Sequence, residues 1–421
     1  MLTNAPRSQR RIIAEASKPA SAPAVRTAPS VQPRNAGRRK LLVGLLGGAT
    51  AAAFSGSLLM PAKGEVATPD AVLVPQLAPP PMSADASAAD RTEWAKFKAR
   101  FISAEGRVID TGNGNVSHSE GQGYALLMAE WTNDRATFER VLAWTKANLS
   151  RPNDALFAWR WRPGQAVAVE DMNSATDGDL GIAWALARGA ARWGVAAWQR
   201  QAEAIGCAVL ALSTRDVAGR LLLLPGPRGF DRPGKVIVNP SYYLFPAIRA
   251  LAQIVPDARW ARLEQDGLWL QGAARFGRWG LSADWVDVAA NNGAVTPAIG
   301  WPARFSWDAV RVPLYLVWAG EHQATAVLAA AAFWSQPRGQ GVAAWADLTS
   351  GQLAPYTGHV GIQAVAALSQ AAAAGRGAAP HAPVSEAPDY YAASLALLTR
   401  MAWQEAGISS APATAMRVAS R

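Results

Sequence analysis

The clearest indication of the fold is the stretch Ala175-Thr176-Asp177-Gly178-Asp179-Leu180-Gly181-Ile182-Ala183-Trp184-Ala185-Leu186, which places a polar cluster directly before an apolar run. From Leu180 to Ala191 the apolar residues recur three and four positions apart, the spacing of one helix face. One aspartate at a helix start is an ordinary N-cap, but two exceed what capping needs. The stretch therefore predicts a helix whose first turn binds a ligand, with one aspartate still acting as a cap.

Helical spacing continues through the chain from about Arg91 onward, and few segments alternate in the manner of strands. Further helical runs are predicted near residues 197–213, 244–254, 313–319, 324–334, 360–374 and 390–404. Long segments rich in Gly, Pro and Asn separate them, among them 224–240 and 289–305. So many helices, joined by loops too long for a simple bundle, predict an all-α assembly whose loops carry the function.

The basic charge of the chain is concentrated near its N-terminus. Of its 41 Lys and Arg and 31 Asp and Glu, nine basic residues and one acidic residue lie in residues 1–62, so residues 63–421 have a net charge of only +2. This body lacks the positive surplus that neutralises phosphates, so no nucleic-acid partner is expected. One cysteine and four histidines without metal-ligand spacing predict no intrachain disulfide, no metal site and no cofactor.

The N-terminal region has the composition of an export segment. Arg38-Arg39-Lys40 precedes the uncharged residues 41–62, which suit the apolar region of a signal peptide or a membrane anchor, and the paired arginines resemble a twin-arginine signal. Five organisational segments are expected: a basic leader over 1–40, this apolar run, a Pro/Ala-rich linker over 63–90, a catalytic domain over 91–405 and a tail over 406–421. We therefore expect a periplasmic or secreted protein, with inner-membrane anchoring through 41–62 as the open alternative.

A second acidic segment is Ser117-His118-Ser119-Glu120-Gly121-Gln122-Gly123-Tyr124, in which Glu120 opens another helical run. The pattern Ser117-x-x-Glu120 matches a capping box, in which the glutamate only satisfies a backbone amide. Glycine is a poor helix former, however, and Gly121 and Gly123 indicate a backbone that must come close to something bulky. The local sequence leaves a capping role and a catalytic role equally open.

A third acidic residue, Asp308, lies in Phe305-Ser306-Trp307-Asp308-Ala309-Val310-Arg311-Val312-Pro313. Because proline fits the first turn of a helix and disfavours helical geometry just before it, Asp308 and Arg311 are predicted on the entering loop. A structural ion pair is one interpretation. The aromatic neighbours favour a site for a ligand with apolar faces and many hydroxyls, such as a sugar.

Taken together, these motifs resemble glycoside hydrolase family 8 over roughly residues 91–405. The motifs that carry the resemblance are, in chain order, 119–124, 175–186, Asn239-Pro240-Ser241-Tyr242-Tyr243 and 308–315, and the most specific of them is 175–186. The resemblance implies an (α/α)6 barrel, a toroid with long loops forming a substrate cleft at one end, and inverting hydrolysis of β-1,4-glucan. It also implies that Glu120 is the general acid, Asp308 the general base, and Asp177 a sugar-binding residue at the point of cleavage.

Inversion needs a protonated acid and an ionised base roughly 6.5 to 9.5 Å apart. We expect aromatic walls and the charge of Asp177 to keep Glu120 protonated, and Arg311 to keep Asp308 ionised. Glucan rings have flat apolar faces that aromatic side chains can cover. The expected substrate-binding residues are accordingly Asp177, Tyr242, Arg311, Trp159 and Tyr391.

The resemblance favours an endo-β-1,4-glucanase working in bacterial cellulose biosynthesis and export, with the cellulose synthase complex as a candidate partner. Two alternatives stay open: the same scaffold acting on xylan, chitosan or mixed-linkage glucan, and a catalytically silent glucan-binding partner of the synthase. The presence of all three carboxylates argues against a silent protein. The near-zero net charge of the body argues against cationic chitosan.

Overall fold

The computed structural model describes residues 85–337 and 341–410, and in this part of the chain it is dominated by α-helices. They are α1 (Ala88–Phe101), α2 (Ser119–Trp131), α3 (Arg135–Leu149), α4 (Thr176–Trp193), α5 (Ala196–Leu212), α6 (Phe245–Ile254), α7 (Arg259–Ala273), α8 (Arg311–Trp318), α9 (Thr325–Trp334), α10 (Val360–Ala374) and α11 (Tyr390–Glu405). All six helical runs predicted from periodicity are present, with ends shifted by at most two residues.

One additional helix, α7, was not predicted from the sequence. Its N-cap residue, Ala258, offers no capping side chain, and Gly267 interrupts its middle. That glycine has a packing reason, because a Cβ there would lie 2.5 Å from the Tyr243 ring. The helix is therefore stabilised by tertiary packing, and the one start signal beside it is Asp257, whose Oδ1 accepts from the Arg259 amide at 2.9 Å.

Burial separates the helices into two groups. In α2 every residue except Glu120 is buried, and in α8 all eight residues are, as expected for helices surrounded by protein on all sides. By contrast, α5 buries a single stripe of residues three and four positions apart, so its other face meets solvent. The two groups correspond to an inner and an outer layer.

The inner layer is a closed ring. Helices α2, α4, α6, α8, α10 and α11 each pack against the next, and α11 returns to pack against α2. Helices α1, α3, α5, α7 and α9 pack outside this ring among the described residues. The prediction of an all-α toroid is confirmed.

The strands of the described chain are short and lie in the loops between helices, apart from the last strand, which follows α11. They are β1 (Ser117–His118), β2 (Arg160–Trp161), β3 (Thr214–Val217), β4 (Arg220–Leu223), β5 (Asp231–Arg232), β6 (Lys235–Val238), β7 (Val286–Ala289), β8 (Val295–Pro297), β9 (Arg304–Phe305), β10 (Ala346–Asp347), β11 (Arg376–Gly377) and β12 (Ser409–Ser410). Strands β5 to β8 form one antiparallel sheet in sequence order, and β1 pairs with β2 immediately before α2. The sheet braces the two long loops on either side of α6 and α7.

Glycines let α2 and α4 cross closely. A Cβ on Gly123 would lie 3.1 Å from the backbone nitrogen of Ile182, and one on Gly178 would lie 2.2 Å from Ser119 Oγ. The close approach expected at Gly123 is therefore present, and its partner is the backbone of the neighbouring helix.

The other end of the ring is held by buried ion pairs. Arg188 of α4 contacts Glu130 of α2 at 2.6 Å and Glu405 of α11 at 2.9 Å. Arg192 adds a second contact of 2.6 Å to Glu130, and Trp318 Nε1 of α8 donates to Glu405 at 2.7 Å. Four inner helices are thus tied together near their C-terminal ends.

The predicted leader (1–40) and apolar run (41–62) lie outside the described residues, as do most of the linker and residues 411–421 of the tail. Within the described ranges no helix is long and apolar enough to cross a membrane. Helix α1 begins at Ala88, inside the stretch predicted as linker, because Ser87 and Asp90 form a capping box there.

Candidate active site

The predicted site residues converge at the N-terminal end of the inner ring. Glu120 and Asp177 are each the second residue of an inner helix, and Tyr391 is the second residue of α11. Tyr242 lies in a short 3-10 turn directly before α6. Arg311 is the first residue of α8, so its prediction as a loop residue is wrong, whereas Asp308 does lie on the entering turn.

Arg311 is the centre of the site, and its side chain is only 3% exposed. Its Nη1 donates to Glu120 Oε2 at 2.6 Å and to the Tyr124 hydroxyl at 3.0 Å. Its Nη2 donates to Asp308 Oδ1 at 2.6 Å and to Ser241 Oγ at 3.1 Å. A buried guanidinium needs such partners, and here one guanidinium joins the two carboxylates that the sequence singled out.

This bridge limits how far apart the carboxylates can be. The two Nη atoms of a planar guanidinium are about 2.3 Å apart, so the two bound oxygens lie within about 7.5 Å of each other. This limit is compatible with the spacing of roughly 6.5 to 9.5 Å that accommodates a water molecule in inverting hydrolysis.

Glu120 and Asp177 are electrostatically coupled. Burial raises the pKa of Glu120, but the charges of Arg311 and His118 and hydrogen bonds from Arg311 and Asp177 outweigh it, so the pKa lies below its ordinary value. Burial and the charge of Glu120 raise the pKa of Asp177 well above its ordinary value. These opposite shifts favour Asp177 over Glu120 as the group that holds the proton when the pair carries one.

Asp308 has an environment different from the one expected. Burial raises the pKa of Asp308, Arg311 lowers it, Glu120 raises it again, and the result lies above the ordinary value. Arg311 lowers the pKa of Asp308, as expected, but the same guanidinium also contacts Glu120 and therefore does not act on the base alone. Each Nη atom binds one carboxylate. The closeness of Asp308 and Arg311 in the sequence gives no sign that Arg311 also binds Glu120.

Both capping interpretations are wrong. Ser117 Oγ donates to the carbonyl of Val108 at 2.5 Å, and the N-cap of α2 is His118, without a capping side-chain bond. The N-cap of α4 is Ala175, so neither aspartate occupies the cap position, although Asp177 Oδ1 accepts from the first-turn amide of Gly178 at 2.8 Å. Asp179 instead accepts from the Phe157 amide at 2.9 Å and ties the neighbouring loop to α4.

The aromatic candidates occupy different depths. Burial and the charges of Asp177 and Asp308 raise the pKa of Tyr242, whose ring meets Trp285 edge-on at 6.1 Å. Burial raises the pKa of Tyr391, whose hydroxyl donates to the carbonyl of Trp307. Trp159 lies farther out and stacks on His118 with ring centroids 6.2 Å apart.

Two residues of this site were missed. Asn239 is fully buried, its Oδ1 accepts from the amide and hydroxyl of Ser241 at 3.0 and 2.8 Å, and its side chain lowers the pKa of Asp308. Its place in the Asn-Pro-Ser-Tyr motif was an available signal. Asp284 binds the turn that carries Asp308, and nothing in its local sequence marked it.

The side chains of the described residues include no group of three or more His, Cys, Asp or Glu that could hold a metal ion. What the site offers is two carboxylates on either side of a buried cation, one of them next to a carboxyl group that holds a proton. This arrangement can donate a proton at one point and accept one at another.

Comparison with known proteins gives consistent results. The family model described as glycosyl hydrolases family 8 matches residues 66–405. A probable endoglucanase of Novacetimonas hansenii is 41% identical over 313 residues, which are 74% of this chain and 90% of that protein. An endoglucanase of Cellulomonas uda is also 41% identical, over 277 residues that are 65% of this chain and 76% of that protein.

A solved structure also matches. The endo-β-1,4-glucanase CMCax from Acetobacter xylinum superposes with a TM-score of 0.71 at 40% sequence identity. The match covers 76% of this chain and 98% of that one, so it includes the inner and outer helices described above.

Proposed function

Because the chain belongs to glycosyl hydrolases family 8, we propose that Glu120 and Asp308 are the acid and the base of an inverting endo-β-1,4-glucanase. The enzyme hydrolyses β-1,4-glucan. The observation that carries the assignment of roles is the Arg311 bridge, which holds both carboxylates within reach of one glycosidic bond.

The proposed reaction is a single displacement. Glu120 gives its proton to the glycosidic oxygen as the bond to the anomeric carbon breaks, and the leaving chain departs with a free hydroxyl. Water attacks the anomeric carbon from the opposite face while Asp308 takes one of its protons. The products are two shorter glucans, and the proton lost by Glu120 is balanced by the one gained by Asp308.

Glu120 must carry a proton at the start of each turnover, although its pKa is lowered in the free site. Asp177 resolves this difficulty, because the carboxyl groups of Glu120 and Asp177 share one proton. When a substrate takes up the N–H donors of Arg311, the guanidinium no longer lowers the pKa of Glu120. The shared proton then moves from Asp177 to Glu120. In this scheme Asp177 is a proton reservoir as well as a sugar ligand.

Aromatic side chains provide surfaces for the glucan rings. Tyr242 lies next to the carboxylates, with Tyr391 beside Trp307 and Trp159 beside His118. We propose that these three residues, with Arg311, hold the sugar units around the scissile bond.

The test of the roles is a pair of isosteric substitutions. Glu120→Gln and Asp308→Asn should each lower kcat on soluble β-1,4-glucan by about three orders of magnitude or more, because each removes one proton-transfer partner. Glu139→Gln is the matched control, since Glu139 pairs with Arg135 on the surface and should leave kcat unchanged. A variant that keeps near wild-type turnover would remove that residue from the mechanism.

The proposed location is the periplasm or the outside of the cell, supported by Arg38-Arg39 and the uncharged residues that follow. Residues 1–90 fused to a reporter should carry it out of the cytoplasm. Replacing both arginines with lysine should block export if the route is twin-arginine dependent. A reporter that stays cytoplasmic would refute the proposed location.

The biological setting we propose is bacterial cellulose synthesis, where trimming of disordered glucan would assist the synthase. Support comes from the substrate class and from the export segment. Deleting the gene in a cellulose-producing host should change the order of the secreted polymer, and the Asp308→Asn variant should not restore it.

A further inference from the structure

Asp284 is an acidic residue that the proposed reaction does not use, although it lies directly behind the base. It precedes β7 in the chain, and its backbone amide donates to the carbonyl of Arg304 at 2.8 Å. This bond joins its segment to the one that leads into the Asp308 turn.

The side chain of Asp284 binds that turn at several points. Its Oδ1 accepts from the amides of Ser306 at 3.0 Å, Asp308 at 3.2 Å and Ala309 at 2.8 Å. Its Oδ2 accepts from the hydroxyl of Ser306. Asp284 thus acts on residues 306–309 as an N-cap acts on a helix, except that it comes from a distant part of the chain.

A cap alone does not explain the choice of residue. Asn or Ser could accept hydrogen bonds here without a second negative charge beside Asp308. Burial and the charge of Asp308 raise the pKa of Asp284 to about 7, so the carboxyl group is kept there against an electrostatic cost. Costly buried carboxyl groups that touch a functional residue are candidates for a functional role.

We propose that Asp284 is a positioning residue for Asp308, fixing the turn so that the base points at the attacking water. The two sides of the base are then held separately, because Arg311 donates to its carboxylate while Asp284 accepts from its backbone amide. Asp284 acts through Asp308 and has no contact of its own with the reacting atoms. The inference rests on the proposed role of Asp308.

The first test separates kcat from KM. Asp284→Asn should lower kcat on soluble β-1,4-glucan at least about tenfold and change KM by less than about twofold. Substrate binding does not depend on the orientation of the Asp308 carboxylate. Ser282→Ala, two residues earlier, is the matched control, because Ser282 Oγ contacts only the carbonyl of Ala283 among the described residues. Unchanged kcat, or a rise in KM that accounts for the loss, would overturn the inference.

The second test is a double-mutant cycle with Asp308→Asn. If Asp284 acts through Asp308, adding Asp284→Asn to Asp308→Asn should cause no further loss of rate, whereas independent effects would multiply. Multiplying losses would overturn the inference. Activity of Asp308→Asn alone near the wild-type value would instead refute the proposed function, so the two failures are distinguishable.

Asp284→Glu covers the case in which the asparagine variant does not fold. It keeps the charge but moves the carboxylate by one methylene, and it should lower kcat while thermal unfolding stays within a few degrees of wild type. If the Asp284→Glu variant folds and keeps the wild-type kcat, the orientation of the turn that carries Asp308 does not depend on Asp284.

Discussion

Replacing Asp177 with Asn gives a sharp test of the proposed proton reservoir. Glu120 Oε2 and Asp177 Oδ2 lie 2.6 and 3.8 Å from the same Nη1 of Arg311, so they are at most about 6.4 Å apart. Two unit charges at that distance repel each other by about 2.6 kcal/mol at an effective dielectric constant of about 20. This energy corresponds to about two pH units.

The direction of the expected pKa shift depends on which group loses its proton. In the wild type the last proton of the pair is lost at a pKa well above the ordinary value of an aspartate, because removing it would leave two adjacent negative charges. In Asp177→Asn only Glu120 titrates, and Arg311 and His118 lower its pKa. The variant should therefore lose the catalytic proton at lower pH than the wild type.

The assay is the pH profile of kcat/KM, whose alkaline limb reports the acid of the free enzyme. Because the side chain of Glu120 is 22% exposed, water screens part of the coupling, and we expect the limb to move down by at least about one pH unit. Asp179→Asn is the control: this neighbouring carboxylate binds the Phe157 amide and Ser174, so its loss should lower stability and leave the limb in place.

Two results would refute the reasoning. A limb that stays at the wild-type pH while activity falls at every pH would leave Asp177 as a sugar ligand only. A limb that moves to higher pH would contradict the proposed proton sharing altogether.

Three further predictions follow from the geometry. Gly178→Ala should lower both thermal stability and kcat, because its methyl would lie 2.2 Å from Ser119 Oγ, whereas Gly272→Ala meets no atom within 4 Å and should raise the melting temperature. Arg188→Met should destabilise the fold by about 1 to 3 kcal/mol in urea unfolding, since it removes a cation from the half-buried Glu405 while Glu130 keeps Arg192, and folded enzyme should keep its kcat. Proton NMR of early hydrolysis should show the α-anomer first, and an initial β-anomer would exclude Asp308 as the base of an inverting reaction.

Much of the fold could be predicted from the sequence, because helical periodicity is a local property. The inner helices were predictable from their continuous apolar runs, and the motif resemblance identified the family. Helix α7 could not be predicted in this way, since it depends on Tyr243 packing against Gly267. The part of the fold that escaped prediction is the part whose stability comes from distant residues.

The same division applies to the site. The sequence marked Glu120 and Asp308 as unusual carboxylates, but only the folded chain brings Arg311 to Glu120 across 191 positions. The capping box at Ser117 failed for a similar reason, because a tertiary acceptor at Val108 takes its hydroxyl. Asp284 is bound to residues more than twenty positions away, so no local pattern could have identified it.

The closure of the inner ring by α11 has a consequence for the synthesis of the enzyme. Helix α11 packs against α1, α2 and α10, and it contributes both Tyr391 near the carboxylates and Glu405 at the opposite end. Because domains gain their contacts as the chain emerges from the ribosome, the helix bearing Glu120 has no neighbour on one side until residues 390–405 have been made. A nascent chain stalled before that point has the acid, the base and the cation in its sequence but no closed ring to hold them together. The arrangement of acid, base and cation described above is therefore complete only in a chain that includes the last helix.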